Sequence, residues 1–317
     1  MAARASRLPW VSEISGVTGP LRRVDALAQG LSDGELARMV RRGELRRLQR
    51  GSYLAPGSSL TGHRAVVLAT VAELRRPGVV SHVSAAVLHG LPLWGASSQR
   101  VHLTRNPPAA GSGSSRVHLH VARVPDEQVT AVDGVLTTDV TRTVVDLART
   151  LPFESAVVAA DAALARGLTS PGSLTGCLET MGPVPGSRRA ARVLAFADGD
   201  SESVGESRSR VLLRRLGLPV PALQYRVRRP DGSLIGRCDF GWEDLGTLGE
   251  FDGRVKYGAN APSGRSPADV VFVEKVREDE MRDLGWQMAR WTWADLSTPA
   301  VVADRLRRAF ARGRRSR

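Results

Sequence analysis

Lysine is almost missing from this chain. Of its 45 basic residues, Lys256 and Lys275 are lysine and the rest are arginine. Such a skew has the look of high-GC coding, so the arginine richness carries limited functional information by itself. Cysteine is equally scarce. Cys177 and Cys238 lie far apart, fit no metal-ligand spacing and read as buried thiols of a reducing cytoplasm. No run of 18 apolar residues occurs, and Met1–Ser15 has no apolar core of signal-peptide length. The expectation is a soluble cytoplasmic protein with no membrane partner.

Positive charge is what the chain has in excess. The net charge is +13 and the sequence pI is about 11.2, which favours a polyanionic partner, nucleic acid ahead of a membrane surface. At 317 residues the chain has room for two or three domains, each with a core.

After an extension over 1–17, the first folded segment is expected at 18–60. Pro20–Gln29 has apolar residues at helical spacing, with Gly30 as a stop. Ser32-Asp33-Gly34-Glu35 is a capping box opening a second helix to about Arg42, with Leu36, Met39 and Val40 as its apolar stripe. Leu45–Leu54 reads as strand, Arg50-Gly51 turn and strand. Together these predict a winged helix-turn-helix. Arg38, Arg41, Arg42, Arg46, Arg47 and Arg50 cluster there, with Glu35 and Glu44 offsetting part of the charge. A recognition helix in the major groove of double-stranded DNA, with a wing on the phosphates, uses such a distribution. A protein-docking winged helix and a plain solvated arginine face fit the same residues.

Residues 61–181 read as one central α+β domain. Helices are expected at His63–Arg75, Ser81–Gly90, Val140–Thr150 and Phe153–Arg166, and strands at Arg100–Thr104 and Val117–Ala122. All six histidines fall here: His63, His82, His89, His102, His118 and His120. His118 and His120 alternate on a strand with no carboxylate or cysteine spaced to join them, so satisfied structural histidines are expected rather than a metal site. Asp139, Arg142 and Asp146 read as a helix start with intrahelical ion pairs.

Gly182-Pro183-Val184-Pro185-Gly186 marks a boundary, after which 187–312 forms a third segment, followed by a basic tail at 313–317. Its expected order is helix, three strands, helix, strand, helix. Arg237–Trp242 and Thr247–Asp252 form a hairpin around Glu243–Gly246. Cys238, Phe240 and Trp242 alternate with polar positions, and Asp239 falls opposite Glu250, Cβ atoms roughly 4.5–5.5 Å apart. Two facing carboxylates destabilise a sheet unless a cation or another charge offsets them. Asp252 falls opposite Arg237 as a cross-strand ion pair. Glu206 closes a second capping box, Ser203-Val204-Gly205-Glu206.

The third segment resembles the PD-(D/E)XK nuclease fold, in the branch similar to very-short-patch-repair endonucleases. That resemblance implies Mg²⁺ held by Glu206, Asp239 and Glu250, and a lysine, here Lys256, orienting a water. The sequence departs from the family pattern at Asp252, where lysine is usual. Residues 18–170 resemble actinobacterial AbiEi-type antitoxins of type IV toxin–antitoxin systems. The resemblance rests on the winged-helix stretch 18–56, Ser81-His82-Val83-Ser84-Ala85-Ala86 and Thr141–Ala148. It implies a promoter-binding transcriptional regulator with a cognate toxin as a further partner. The fold class expected for the whole is multidomain α+β, ending in an α/β restriction-endonuclease-like domain. Two functions stay open: a DNA-binding regulator keeping the nuclease fold for binding, and a Mg²⁺-dependent endodeoxyribonuclease targeted by its winged helix.

Overall fold

The computed structural model describes residues 19–60, 62–74, 76–109, 114–253 and 267–314, with the backbone alone for 267–272. Two compact units divide the described residues: those up to Leu151 together with Thr169–Arg192, and Pro152–Leu168 together with those from Val193 onward.

The first unit begins with β1 (Leu21–Arg22), α1 (Arg23–Ala28), α2 (Asp33–Arg41), β2 (Arg46–Gln49) and β3 (Ser52–Leu54). The three strands form an antiparallel sheet in the order β1-β3-β2. Leu21 and Arg22 are therefore strand, not the first turn of a helix, because their backbone pairs with Tyr53 and Ser52. This is a tertiary contact that helical spacing does not reveal. The Ser32–Glu35 capping box forms, with Ser32 Oγ accepting from Glu35 N at 3.3 Å. Gly51 turns the β2–β3 hairpin at φ +83°, a conformation glycine adopts without steric cost. Leu21, Ala26, Leu36, Met39, Leu45 and Tyr53 close the core beneath these elements.

The same unit continues with α3 (Gly62–Ala72), β4 (Val79–Val80), α4 (His82–Leu88), β5 (Val101–Arg105), β6 (Val117–Val121), β7 (Val129–Val132), β8 (Val135–Thr138) and α5 (Val140–Thr150). Its second sheet has the order β6-β5-β4-β8-β7, with β5 and β6 parallel. Strands β4, β7 and β8 went unforeseen, being only two to four residues long. Asp139 caps α5, its carboxylate accepting from Arg142 N at 2.6 Å. Helix α6 (Phe153–Ala165) belongs to the second unit, and α7 (Pro171–Met181) and most of α8 (Ser187–Leu194) to the first.

The second unit adds α9 (Val204–Arg215), β9 (Ala222–Arg228), β10 (Leu234–Trp242), β11 (Thr247–Asp252), α10 (Pro267–Asp283), β12 (Gln287–Thr292), α11 (Trp293–Leu296) and α12 (Pro299–Gly313). The sheet order is β12-β11-β10-β9. β10 runs antiparallel to both neighbours, and β11 pairs in parallel with β12 across the α10 crossover that parallel pairing requires. Trp242 lies opposite Thr247 and Phe240 opposite Gly249, the expected hairpin register. The single buried face read from the alternation is split. Phe240 and Trp242 pack with Leu212, Trp291 and Phe310, whereas Cys238 packs with Val227, Leu248, Met281 and Trp286. The sheet is covered on both sides, so burial follows cluster membership and not simple alternation.

Gly205 in α9 sits against the Phe251 ring, and a Cβ there would overlap it. Alanine is the better helix former by about 0.5–1 kcal/mol, but overpacking a filled core costs about 1–3 kcal/mol. Gly205→Ala is therefore expected to destabilise the second unit, read by urea unfolding followed through its buried tryptophans. Gly176→Ala in α7, where a Cβ meets nothing within 4 Å, is the contrast and should be neutral or stabilising. An unchanged midpoint for Gly205→Ala would contradict the packing described.

Candidate functional site

Arg38, Arg41, Arg42, Arg46, Arg47 and Arg50 are all exposed. Helix α2 turns Leu36 and Met39 into the core, and the helical period leaves Arg38, Arg41 and Arg42 on the solvent side. The β2 strand and its turn carry the other three. Neighbouring arginines are tightly paired: Arg22 with Asp25 at 2.5 Å and Arg23 with Asp33 at 2.5 Å. On the basic face the pairs are loose, Arg38–Glu35 and Arg42–Glu44 both at 3.9 Å. Among the described residues, no ion pair engages Arg41, Arg46, Arg47 or Arg50. Guanidinium groups left to solvent in this way suit phosphate contact.

The carboxylates of the second unit sit differently from a metal cage. Glu206 Oε1 accepts from Ser203 Oγ at 2.6 Å, while Oε2 accepts from Glu202 N at 2.9 Å and Gln224 Nε2 at 2.8 Å. Ser203 Oγ caps α9 by accepting from Glu206 N at 3.2 Å, but the Glu206 carboxylate takes Glu202 N and not Ser203 N, so the reciprocal bond of the expected capping box is absent. Asp239 Oδ2 accepts from Phe251 N at 2.7 Å, so this aspartate ties β10 to β11 beyond the last ladder pair. Glu250 is bridged by two guanidiniums, Arg277 to Oε1 and Arg290 to Oε2, each at 2.8 Å. These arginines supply the charge that offsets the facing carboxylates. Sequence reading missed them because Arg277 lies on α10 and Arg290 on β12, both distant along the chain. The expected Asp252–Arg237 pair does not form, since Arg237 binds Glu202 through two contacts of 2.6 and 2.8 Å. Lys256 lies outside the described residues. Hard carboxylates are the correct donor type for Mg²⁺. With both oxygens of Glu250 on guanidiniums and both of Glu206 engaged by Ser203, Glu202 and Gln224, the acids as arranged do not fit that ion.

A third cluster lies in the first unit. His82 at the start of α4, His102 on β5 and His120 on β6 bring one ring nitrogen each to within 4.8 Å of the others. The sequence leads one to expect satisfied structural histidines, and its spacing does not reveal that three of them converge. The His102 and His120 rings approach through Nδ1 and Nε2 at 3.0 Å. His120 stacks on His82 with centroids 3.6 Å apart, and on His118 at 4.3 Å. Register explains the convergence: His102 pairs with His118 and Thr104 with His120, so these side chains share one face of a parallel pair. The matching Val101-His102-Leu103 and Val117-His118-Leu119-His120 segments carried that signal. The pairing partner and the arrival of His82 did not show in either segment. Burial, then neighbouring histidines and arginines, pushes His102 down to about 4 and His120 to about 3, and holds His82 well below the usual range. His82 has φ +53°, an uncommon conformation for a side-chain-bearing residue, and its Nδ1 lies 3.0 Å from Ser81 Oγ. Thr104 Oγ1 in turn donates to Ser81 Oγ at 2.7 Å.

Residues 13–56 match the family model described as "Transcriptional regulator, AbiEi antitoxin". The N-terminal stretch is thus similar to that regulator family. The match takes in the capped helix, the hairpin and all six exposed arginines. Over 280 residues, 87% of this chain is 28% identical to "Uncharacterized protein Rv2248" and to "Uncharacterized protein MT2308", both of Mycobacterium tuberculosis, covering 96% of each. Among solved structures, the RV2827C protein from Mycobacterium tuberculosis is similar at 17% identity with a TM-score of 0.40, over 71% of this chain and 90% of that one. No helix among the described residues is long and apolar enough to cross a membrane. Cys177 and Cys238 are both buried and free, as their isolation in the sequence suggested.

Proposed function

We propose that this protein is a DNA-binding transcriptional regulator of the antitoxin type, with a winged helix-turn-helix at 18–60 that reads double-stranded DNA. The observation that carries it is the exposed, loosely paired arginine face on α2 and the β2–β3 hairpin, inside the stretch that matches the regulator family. In this reading α2 enters the major groove and the hairpin rests on phosphates. The second unit is a PD-(D/E)XK-type scaffold used for binding, a reading supported by its order from α9 onward of helix, three strands, helix and strand, followed by the short α11 and then α12. A cognate toxin is the protein partner this class implies.

Fluorescence anisotropy with the full chain and the duplex upstream of its own coding sequence tests the proposal. Binding is expected at low salt, tighter than to scrambled duplex, and falling steeply as salt rises. No binding to that duplex at low salt would sink the regulator reading. The competing reading, a Mg²⁺-dependent endodeoxyribonuclease using Asp239, Glu250, Glu206 and Lys256, makes a separate demand. It requires plasmid nicking with Mg²⁺ or Mn²⁺ that disappears in Asp239→Ala and Glu250→Ala. The arginine bridges on Glu250 favour the binding scaffold, for which no nicking is expected.

A further inference from the structure

We infer that His82, His102 and His120 form a binding site for one first-row transition-metal ion of the Zn²⁺ class, with solvent completing its coordination. Three elements far apart in sequence deliver one imidazole each, with the ring nitrogens within 4.8 Å of one another. Zn–N bonds run about 2.0–2.1 Å, so two ligands of one tetrahedral ion stand about 3.4 Å apart. The 3.0 Å approach of His102 Nδ1 to His120 Nε2 and the 4.8 Å limit for the trio bracket that separation. The His82 and His120 rings stack face to face with centroids 3.6 Å apart, and a metal lies in the plane of each imidazole that binds it, so loading requires one of these rings to turn out of the stack about its side-chain torsions.

The donor chemistry selects the ion. An all-imidazole set suits Zn²⁺, Co²⁺, Ni²⁺ and Cu²⁺ and is a poor match for Mg²⁺ or Ca²⁺, which take oxygen ligands. Buried Ser81 and Thr104 form the outer support: Thr104 Oγ1 donates to Ser81 Oγ, which holds the His82 ring. Partners that orient a ligating imidazole are a regular part of such centres. His82 is buried, whereas His102 and His120 are half-buried, so the open side of the trio faces solvent and leaves room for water as the fourth ligand. The positive groups acting on the cluster are Arg100, Arg142 and Arg149. Asp146 engages the last two at 3.1 and 3.0 Å, which reduces their repulsion of a bound cation.

The test uses the full chain, stripped with a chelator and titrated with Zn²⁺ against a chromophoric competitor. One equivalent is expected to bind at micromolar affinity or tighter, and Co²⁺ is expected to give the intense visible bands of four-coordinate geometry. His102→Gln and His120→Gln should each weaken Zn²⁺ binding by about 100-fold or more, a loss at the upper end of those seen when support around a site is removed. His89→Gln, whose ring is bonded to Thr138 O, should leave it unchanged. X-ray absorption on the Zn²⁺-loaded wild type, which does not depend on any variant folding, should report three imidazole scatterers. Absence of one-equivalent binding, binding unaffected by both substitutions, or an oxygen-dominated shell would each overturn the site. None of these outcomes bears on the DNA-binding reading, which is tested on DNA.

Discussion

Replacing Arg41, Arg46, Arg47 and Arg50 together with alanine is expected to weaken duplex binding by about a thousandfold at 0.1 M salt. Each phosphate contact contributes about −0.9 to the slope of log K against log[salt], slightly under tenfold between 1 M and 0.1 M. Four such contacts therefore account for the loss and for a slope shallower by between three and four, as an order-of-magnitude expectation. These arginines are exposed, whereas the local core is built from Leu21, Ala26, Leu36, Met39, Leu45 and Tyr53. The far-ultraviolet circular dichroism should be unchanged. Arg188 and Arg192, also exposed but on α8, are the charge control. Alanine at both should leave the slope nearly as it was. An equal loss per arginine removed in the two variants would show that net charge alone, not the α2–β2 face, drives association.

Asp146→Ala is expected to cost about 3–5 kcal/mol of stability, the usual penalty for stranding a buried charge. Arg142 and Asp146 are each 1% exposed. The Arg142 Nε–Asp146 Oδ2 contact is 3.1 Å, and Arg149 reaches Oδ1 at 3.0 Å. Arg142 also donates to Arg123 O at 3.0 Å and Gln128 Oε1 at 2.7 Å. Burial pushes the Asp146 pKa up, against the pull of the two guanidiniums, so desolvation is the larger opposing force at this site. Arginine cannot shed its proton to escape, and without Asp146 it stays charged and uncompensated. Hydrogen exchange across α5 should read the loss directly. The double replacement Arg142→Met/Asp146→Leu should recover part of it, because apolar substitution of both partners removes the desolvation cost as well as the pair. A single substitution without effect would mean that water reaches this network.

Local rules carried much of the fold. The Ser32 cap, the Gly51 turn, the register from Trp242–Thr247 and most helices longer than two turns were legible because each depends on residues a few positions apart. Helix α7 is the exception. It was missed although Pro171 and the Ser170 cap mark its start, since its short apolar stripe resembled a loop between two predicted segments. The arginine face was legible for the same reason: helical spacing alone separates Arg38, Arg41 and Arg42 from Leu36 and Met39. The carboxylates were legible as residues but not as an arrangement. Asp239 and Glu250 stand on neighbouring strands as expected, yet Arg277 and Arg290, which engage Glu250, come from elements 27 and 40 positions further along the chain.

The sequence by itself determined a strongly basic protein with capped helices, a two-stranded hairpin beside an arginine-rich helix, and a C-terminal segment of helix, three strands, helix, strand and helix. Periodicity, caps and turns act over a few residues, so a linear reading suffices for them. The tertiary structure alone decided which charges neutralise which, and that three scattered histidines meet. Strand pairing and helix packing bring together groups whose separation along the chain carries no signal. Ion pairing and metal ligation depend on distances of a few ångströms in space.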